Sequence, residues 1–158
     1  MSVFNGPAPA IRICRNHEEE AGAVGQWLSS LVQEGLLPHE CAVFVRSDAE
    51  LDRARAAAAA SGLPFTVLDA NVETQIGHVS LGTMHLAKGL EFRAVAVMAC
   101  DDEIVPSQVR IETVGDDAEL EEVYNTERHL LYVACTRARD RLLVSSGGEA
   151  SEFLEDIR

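Results

Sequence analysis

Three short stretches put polar, chemistry-bearing residues where the surrounding pattern is apolar. Arg46 and Ser47 directly follow the apolar run 41–45. An arginine at the end of a buried strand offers a planar, permanently charged fork that fits phosphate oxygens, and a solvated surface arginine carries the same signature. The second stretch, residues 83–92, reads Thr-Met-His-Leu-Ala-Lys-Gly-Leu-Glu-Phe. Thr83, His85 and Lys88 crowd three donors into what the pattern reads as a strand-to-helix turn, and free N–H groups at helix N-termini attract anions. Gly89 permits a positive φ or a close backbone approach. Glu91 is suited either to accepting hydrogen bonds from sugar hydroxyls or to pairing with Lys88. The third stretch, Thr136, Arg137, Ala138 and Arg139, ends a long helical pattern. Arginines there either compensate the helix dipole or act as a finger that stabilises charge on a transferred phosphoryl group. No segment has the Gly-x-x-x-x-Gly-Lys-Ser/Thr spacing of a phosphate loop.

The elements that must position these residues follow from periodicity. Ile11 and Ile13 alternate with Arg12 in a short strand, and Asn16 reads as the N-cap of a helix with Glu18, Glu19 and Glu20 in its first turn. Val24, Trp27, Leu28, Leu31 and Val32 recur at helical spacing until Gly35. The run 41–45 is a second strand, and Ser47 with Glu50 predicts a capping box opening an alanine-rich helix that Gly62 and Pro64 stop. Residues 65–68, 79–81, 94–99 and 142–144 are four more short strands. Between the last two, an acidic stretch at 116–122 leads into Leu120, Val123, Glu127, Leu130, Leu131 and Ala134, the buried stripe of a long helix. Phe153, Leu154 and Ile157 predict a terminal helix. Strands this apolar, alternating with helices, predict an α/β fold with an open, mainly parallel sheet covered on both faces. Ligands in such sheets bind beyond the carboxyl ends of the strands.

Composition narrows the function classes. The 158 residues carry 13 Lys+Arg against 26 Asp+Glu, a net charge of −13 that disfavours a broad cationic grip on nucleic acid, so any such contact is local. No apolar run approaches the ~20 residues of a membrane span, and residues 1–9 lack the basic and apolar regions of a signal peptide, which predicts a cytoplasmic protein. The cysteines at 14, 41, 100 and 135 are too far apart for a Cys-x-x-Cys pair, and they read as reduced and mostly buried. The histidines form no His-x-x-x-His pair and no Gly-x-Ser-x-Gly elbow is present, which argues against a metal or nucleophilic hydrolase.

In this order, the three stretches resemble the second RecA-like motor domain of UvrD/Rep-type superfamily-one DNA helicases. Residues 83–92 look like helicase motif V, residues 127–139 like motif VI, and residues 43–47 like motif IV. The resemblance runs from Ile11 onward and implies a RecA-like fold for 11–158, with 1–10 as a linker. It implies ATP bound between two RecA-like domains, with Arg46 and Arg137 supplied to its phosphates, Glu91 near the ribose, and Lys88 and Gly89 in the coupling turn. Thr83 and His85 match a segment that contacts single-stranded DNA. The partner first RecA-like domain would hold the phosphate loop and most of the Mg²⁺ coordination, so this chain alone is expected not to hydrolyse ATP. Val45 stands where relatives often carry a base-stacking aromatic residue. Only 36 residues separate Arg46 from Thr83, which leaves no room for an accessory insertion domain. The chain thus reads as a fragment of a compact helicase, or alternatively as a stand-alone acidic module that binds a basic partner.

Overall fold

Strand-length apolar runs and amphipathic helices assemble around one parallel sheet. The computed structural model describes residues 8–157. Its strands are β1 (Ala10–Ile13), β2 (Cys41–Val45), β3 (Phe65–Val67), β4 (Val79–Thr83), β5 (Phe92–Val97) and β6 (Ala138–Ser146), in the order β1-β6-β5-β2-β4-β3. Every pairing is parallel. Helices α1 (His17–Gln33) and α2 (Leu51–Ser61) connect the early strands, while α3 (Gln108–Glu112) and α4 (Asp117–Cys135) lie between β5 and β6. All six expected strands form, and α3 is an additional short helix that its five-residue length hid from periodicity. The expected linker lies mostly outside the described residues, and Ala10 already belongs to β1.

The sheet is covered on both faces, as parallel sheets require. On one side Val24, Leu28 and Leu31 of α1 and Ala54, Ala57 and Ala58 of α2 pack on Val43, Leu81 and Ala96. On the other side Leu131 and Ala134 of α4, with Met84, Phe153 and Leu154, pack on Phe44, Val95 and Val144. Central strands β2 and β4 are buried throughout, whereas edge strand β1 is exposed except for the partly buried Ile11. Gly25 lets α1 approach α2, because a Cβ there would lie 2.7 Å from Ala60 Cβ and 2.8 Å from the Ala57 carbonyl.

Local signals decide where the helices begin. Asn16 Oδ1 accepts from Glu19 N, and Asp116 Oδ1 from Glu119 N, both at 2.8 Å. The Ser47–Glu50 capping box does not form. Residues Asp48–Glu50 make a 3-10 turn without a side-chain cap, and the Glu50 carboxylate faces Arg53 at 3.5 Å, because the charge of Arg53 attracts it more strongly than a neutral backbone N–H would. Two further elements differ from their expected helices. Residues 83–92 contain a single 3-10 turn, Met84–Leu86, since eight residues must both leave β4 and reach the start of β5. The terminal segment is also 3-10, Glu152–Asp156, and it packs back through Phe153 and Leu154.

Candidate functional site

The stretch 83–92 crosses the sheet from the carboxyl end of β4 to the amino end of β5. Thr83 is buried at the end of β4, in register with Val45, while His85 and Lys88 are exposed. Gly89 takes a φ of 84°, the left-handed region that its lack of a Cβ permits. Leu90 and Glu91 then lead into β5. Without a true helix at Thr83, the anion-attracting N-terminus expected there is absent, and the donors of this stretch are side chains. Glu91 does not pair with Lys88. Its carboxylate lies 3.8 Å from Arg139, both groups exposed.

Arg137 joins this stretch to α4. Its Nε donates to the Val133 carbonyl (3.1 Å), Nη1 to the Leu90 carbonyl (3.2 Å) and Nη2 to Thr136 Oγ1 (3.1 Å). The bond to Val133 is the dipole-compensating cap that the sequence allows. All three acceptors are neutral, so the half-buried guanidinium is held in place, and among the described residues no carboxylate pairs with it. Its carbonyl also accepts from Phe92 N at 2.9 Å, which ties it to the first residue of β5. Gly89 and Glu91 therefore flank the carbonyl on which Arg137 is seated.

Arg46 is placed differently. It follows the carboxyl end of β2, while Arg137 precedes the amino end of β6. The registered pairs Phe44/Val97 and Phe92/Ala138 lie five β5 residues apart, roughly 16 Å of strand. The structure does not bring the two arginines together. Arg46 is buried against Glu127 of α4, with Nε to Oε1 at 2.8 Å and Nη2 to Oε2 at 2.7 Å. Glu127 also accepts from Ser107 N (2.7 Å) and Arg110 Nη1 (2.8 Å). Burial pushes this carboxyl up, but Arg46, the Ser107 N–H and Arg110 outweigh it and hold it below the usual range.

A second buried cluster lies beyond β5 and β6. Arg53 of α2 donates Nη2 to Glu20 Oε1 and Nη1 to Asp101 Oδ2, the latter at 2.9 Å. Glu20 Oε2 accepts from Ala99 N (2.8 Å) and Ser145 Oγ (2.7 Å), and Asp101 Oδ1 from Gly147 N (2.8 Å). Ala99 has a φ of 59°, a strained conformation for a residue with a Cβ, and Glu20 clamps its N–H. Burial works against the charge of Arg53, but its two carboxylates prevail and raise its pKa. These residues were not among the sequence candidates, and Glu20 is a buried partner rather than a solvated first-turn acid. Among the described residues, no three His, Cys, Asp or Glu side chains are grouped so that they could hold a metal ion.

A mainly parallel six-stranded sheet with helices on both faces is the α/β fold of a helicase C-terminal domain. The family model described as UvrD-like helicase C-terminal domain matches residues 69–148, just over half of the chain. The chain belongs to that family. Both 83–92 and 127–139 fall inside the match, and Arg46 lies outside it. The ATP-dependent DNA helicase UvrD1 of Mycobacterium leprae is 47% identical over 85 residues, covering 54% of this chain and 10% of that protein. The ATP-dependent DNA helicase PcrA of Staphylococcus epidermidis is 43% identical over 74 residues, covering 47% and 9%. The matched part spans about a tenth of these relatives. The crystal structure of the C-terminal domain of a possible DNA helicase from Lactobacillus plantarum WCFS1 superposes with a TM-score of 0.71 at 26% identity, covering 98% of this chain and 83% of that one. No described helix is long and apolar enough to cross a membrane.

Proposed function

We propose that this chain is the second motor domain of an ATP-dependent DNA helicase or translocase, acting on ATP held by a first RecA-like domain. The observation that carries this reading is Arg137: rigidly seated on neutral acceptors, it keeps a full positive charge to offer to a phosphate. Such an arginine stabilises charge spread over the transferred phosphoryl oxygens without leaving its seat. Glu91, exposed two positions after Gly89, is suited to hydrogen bonds from ribose hydroxyls if it exchanges its weak contact with Arg139, and Lys88 adds a mobile cation at the same rim. ATP supplies the phosphoryl group. The residues of this chain fit the role of positioning and charge stabilisation, and Mg²⁺ coordination falls to the partner domain.

Thr83 and His85 stand at the opposite, carboxyl end of the sheet and are proposed to line part of the single-stranded DNA track. The stretch 83–92 would then connect the DNA side to the nucleotide side within one covalent segment. Arg46, whose fork is filled by Glu127, reaches a phosphate only by giving up that pair. The domain division proposed is a motor half that begins with β1 at Ala10, without an accessory insertion between Arg46 and Thr83.

The test is ATPase activity of this chain beside the complete open reading frame that encodes it, with and without single-stranded DNA. DNA-stimulated turnover only in the longer chain supports the reading. No activity in either, with no phosphate loop upstream, replaces it with an acidic module that binds a basic partner.

A further inference from the structure

The amino ends of the neighbouring strands β6, β5, β2 and β4 share one rim of the sheet, and polar contacts run along it from Glu91 to the entry of β4. Glu91 faces Arg139 at 3.8 Å, Arg139 faces Asp140 at 3.6 Å, and Arg93 Nε donates to Asp140 at 2.8 Å. Arg93 also faces Glu40 at 3.7 Å, and Glu40 Oε1 accepts from Leu37 N at 2.8 Å where the 3-10 turn Pro38–Glu40 enters β2. His39 of that turn accepts the Gly77 N–H on Nδ1 at 3.1 Å, which joins it to the loop entering β4. The apolar side chains at these two entries stand in solvent. Leu37 is 52% exposed and Ile76 85%, the largest value for a bulky apolar side chain among the described residues. Exposed apolar groups gathered on one face mark a contact surface, because covering them is favourable. The charge of this rim also departs from that of the chain: Lys88, Arg93, Arg137 and Arg139 outnumber Glu40, Glu91 and Asp140, against a net −13 overall. A locally basic rim on an acidic chain fits a partner that presents an anion.

We propose that this amino rim is the docking face for the ATP-loaded first RecA-like domain, with Leu37 and Ile76 as its apolar anchors and Arg137 at its charged end. This rests on the reading of Arg137 as a phosphate contact. Reach selects the occupant. From β6 to β4 is three strand spacings, about 14 Å. A domain of about 100 residues or more has a radius of gyration of about 13 Å or more, so a body that brings a phosphate to Arg137 along this rim also covers the β2 and β4 entries. Leu37 and Ile76 touch no nucleotide. They hold the two domains together at the end of the rim away from the chemistry.

Two measurements test it. Amide hydrogen exchange compares this chain with the complete open reading frame bound to a non-hydrolysable ATP analogue. Residues 36–40 and 74–78 exchange at least about tenfold more slowly in the longer chain, because the first domain covers them. Equal exchange in the two chains overturns the docking face. If sedimentation shows that this chain pairs with itself and the pair protects the same residues, the face belongs to a second copy and the proposal fails. In the complete open reading frame, Leu37→Ser combined with Ile76→Ser lowers kcat/KM for ATP about tenfold, while the urea midpoint of this chain carrying the same changes stays where it was, since both side chains are exposed. Wild-type kcat/KM in that double variant, with Arg137→Ala inactive, overturns the docking face and leaves the phosphate reading standing. Normal turnover of Arg137→Ala removes the phosphate reading and this inference with it.

Discussion

Arg137 donates Nη1 to the Leu90 carbonyl at 3.2 Å, so the C-terminal end of α4 is stitched to the segment that enters β5. Two parts of the chain separated by 47 residues thus share one guanidinium. In the complete open reading frame, Arg137→Ala is expected to reduce ATP turnover by about 10³ or more, the usual weight of an arginine finger. Folding should survive, since the lost hydrogen bonds are to groups that water can reach, at about 1 kcal/mol each. Arg137→Lys should not rescue turnover, because a point charge on a flexible stem cannot occupy the Val133, Leu90 and Thr136 acceptors together. ATPase assays alongside urea melts of each variant check both halves, and undiminished turnover of Arg137→Ala would remove Arg137 from the chemistry.

Arg53 neutralises two buried carboxylates at once. Replacing it with Met preserves volume but leaves Glu20 without a cation and Asp101 with only the exposed His17 ring, 3.7 Å away, at a cost of about 3–5 kcal/mol for a broken buried pair. Chemical denaturation should show this loss, together with release of the strained Ala99 turn that Glu20 clamps. A change under about 1 kcal/mol would mean that solvent already reaches the cluster.

Two glycines of α1 should respond oppositely to the same substitution. At Gly22 nothing lies within 4 Å of a built Cβ, so Gly22→Ala should stabilise the helix by about 0.5–1 kcal/mol. At Gly25 the new methyl meets Ala57 O at 2.8 Å and Ser61 N at 2.9 Å, backbone atoms that cannot swing aside. Gly25→Ala should therefore destabilise by about 1–3 kcal/mol, the range for overpacking. Paired thermal melts give the sign of each.

The cysteines should behave as core residues. Burial pushes the Cys41 and Cys135 thiols up to about 12, and Cys100 well above its usual value for the same reason. Thiolate, not thiol, reacts with disulfide reagents, so native labelling at neutral pH should be at least about 100-fold slower than in urea. Fast labelling of native Cys135 would show that the joint between α4 and the terminal 3-10 turn opens.

Much of this fold is legible in the sequence because apolar runs such as Cys41–Val45 have no role except as buried strands, and because Asn16 and Asp116 announce helix starts through local hydrogen bonds. The stretches 83–92 and 136–139 are likewise visible as polar residues clustered at the joints between elements. What escaped was long-range pairing. Glu20 falls in the same helical register as Val24, Leu28 and Leu31, and Glu127 in that of Leu131 and Ala134. A carboxylate on an apolar stripe signals a buried ion pair, but its partner, Arg53 or Arg46, sits 33 or 81 residues away and is chosen only by the folded topology. The same ambiguity hid the state of Arg46, whose position after β2 is equally consistent with a free fork and with a filled one.

The filled fork has a consequence for acid stability. Burial raises the Glu127 carboxyl, but Arg46, the Ser107 N–H and Arg110 lower it further, and the net folded value lies below that of the unfolded chain. The stabilisation is therefore fully present above the unfolded carboxyl value of about 4.3 and is lost as pH falls through the lower folded one. Wild-type stability should decline with acidification over this window, and Glu127→Gln, which has no proton to gain, should decline less steeply. Since other carboxylates titrate in both proteins, the difference between the two urea-midpoint curves isolates Glu127. That difference should shrink as pH drops below about 4, where the protonated acid resembles the amide. Parallel curves across the whole range would mean that Glu127 does not hold its proton affinity below the unfolded value, and the two-arginine arrangement around it would have to be abandoned.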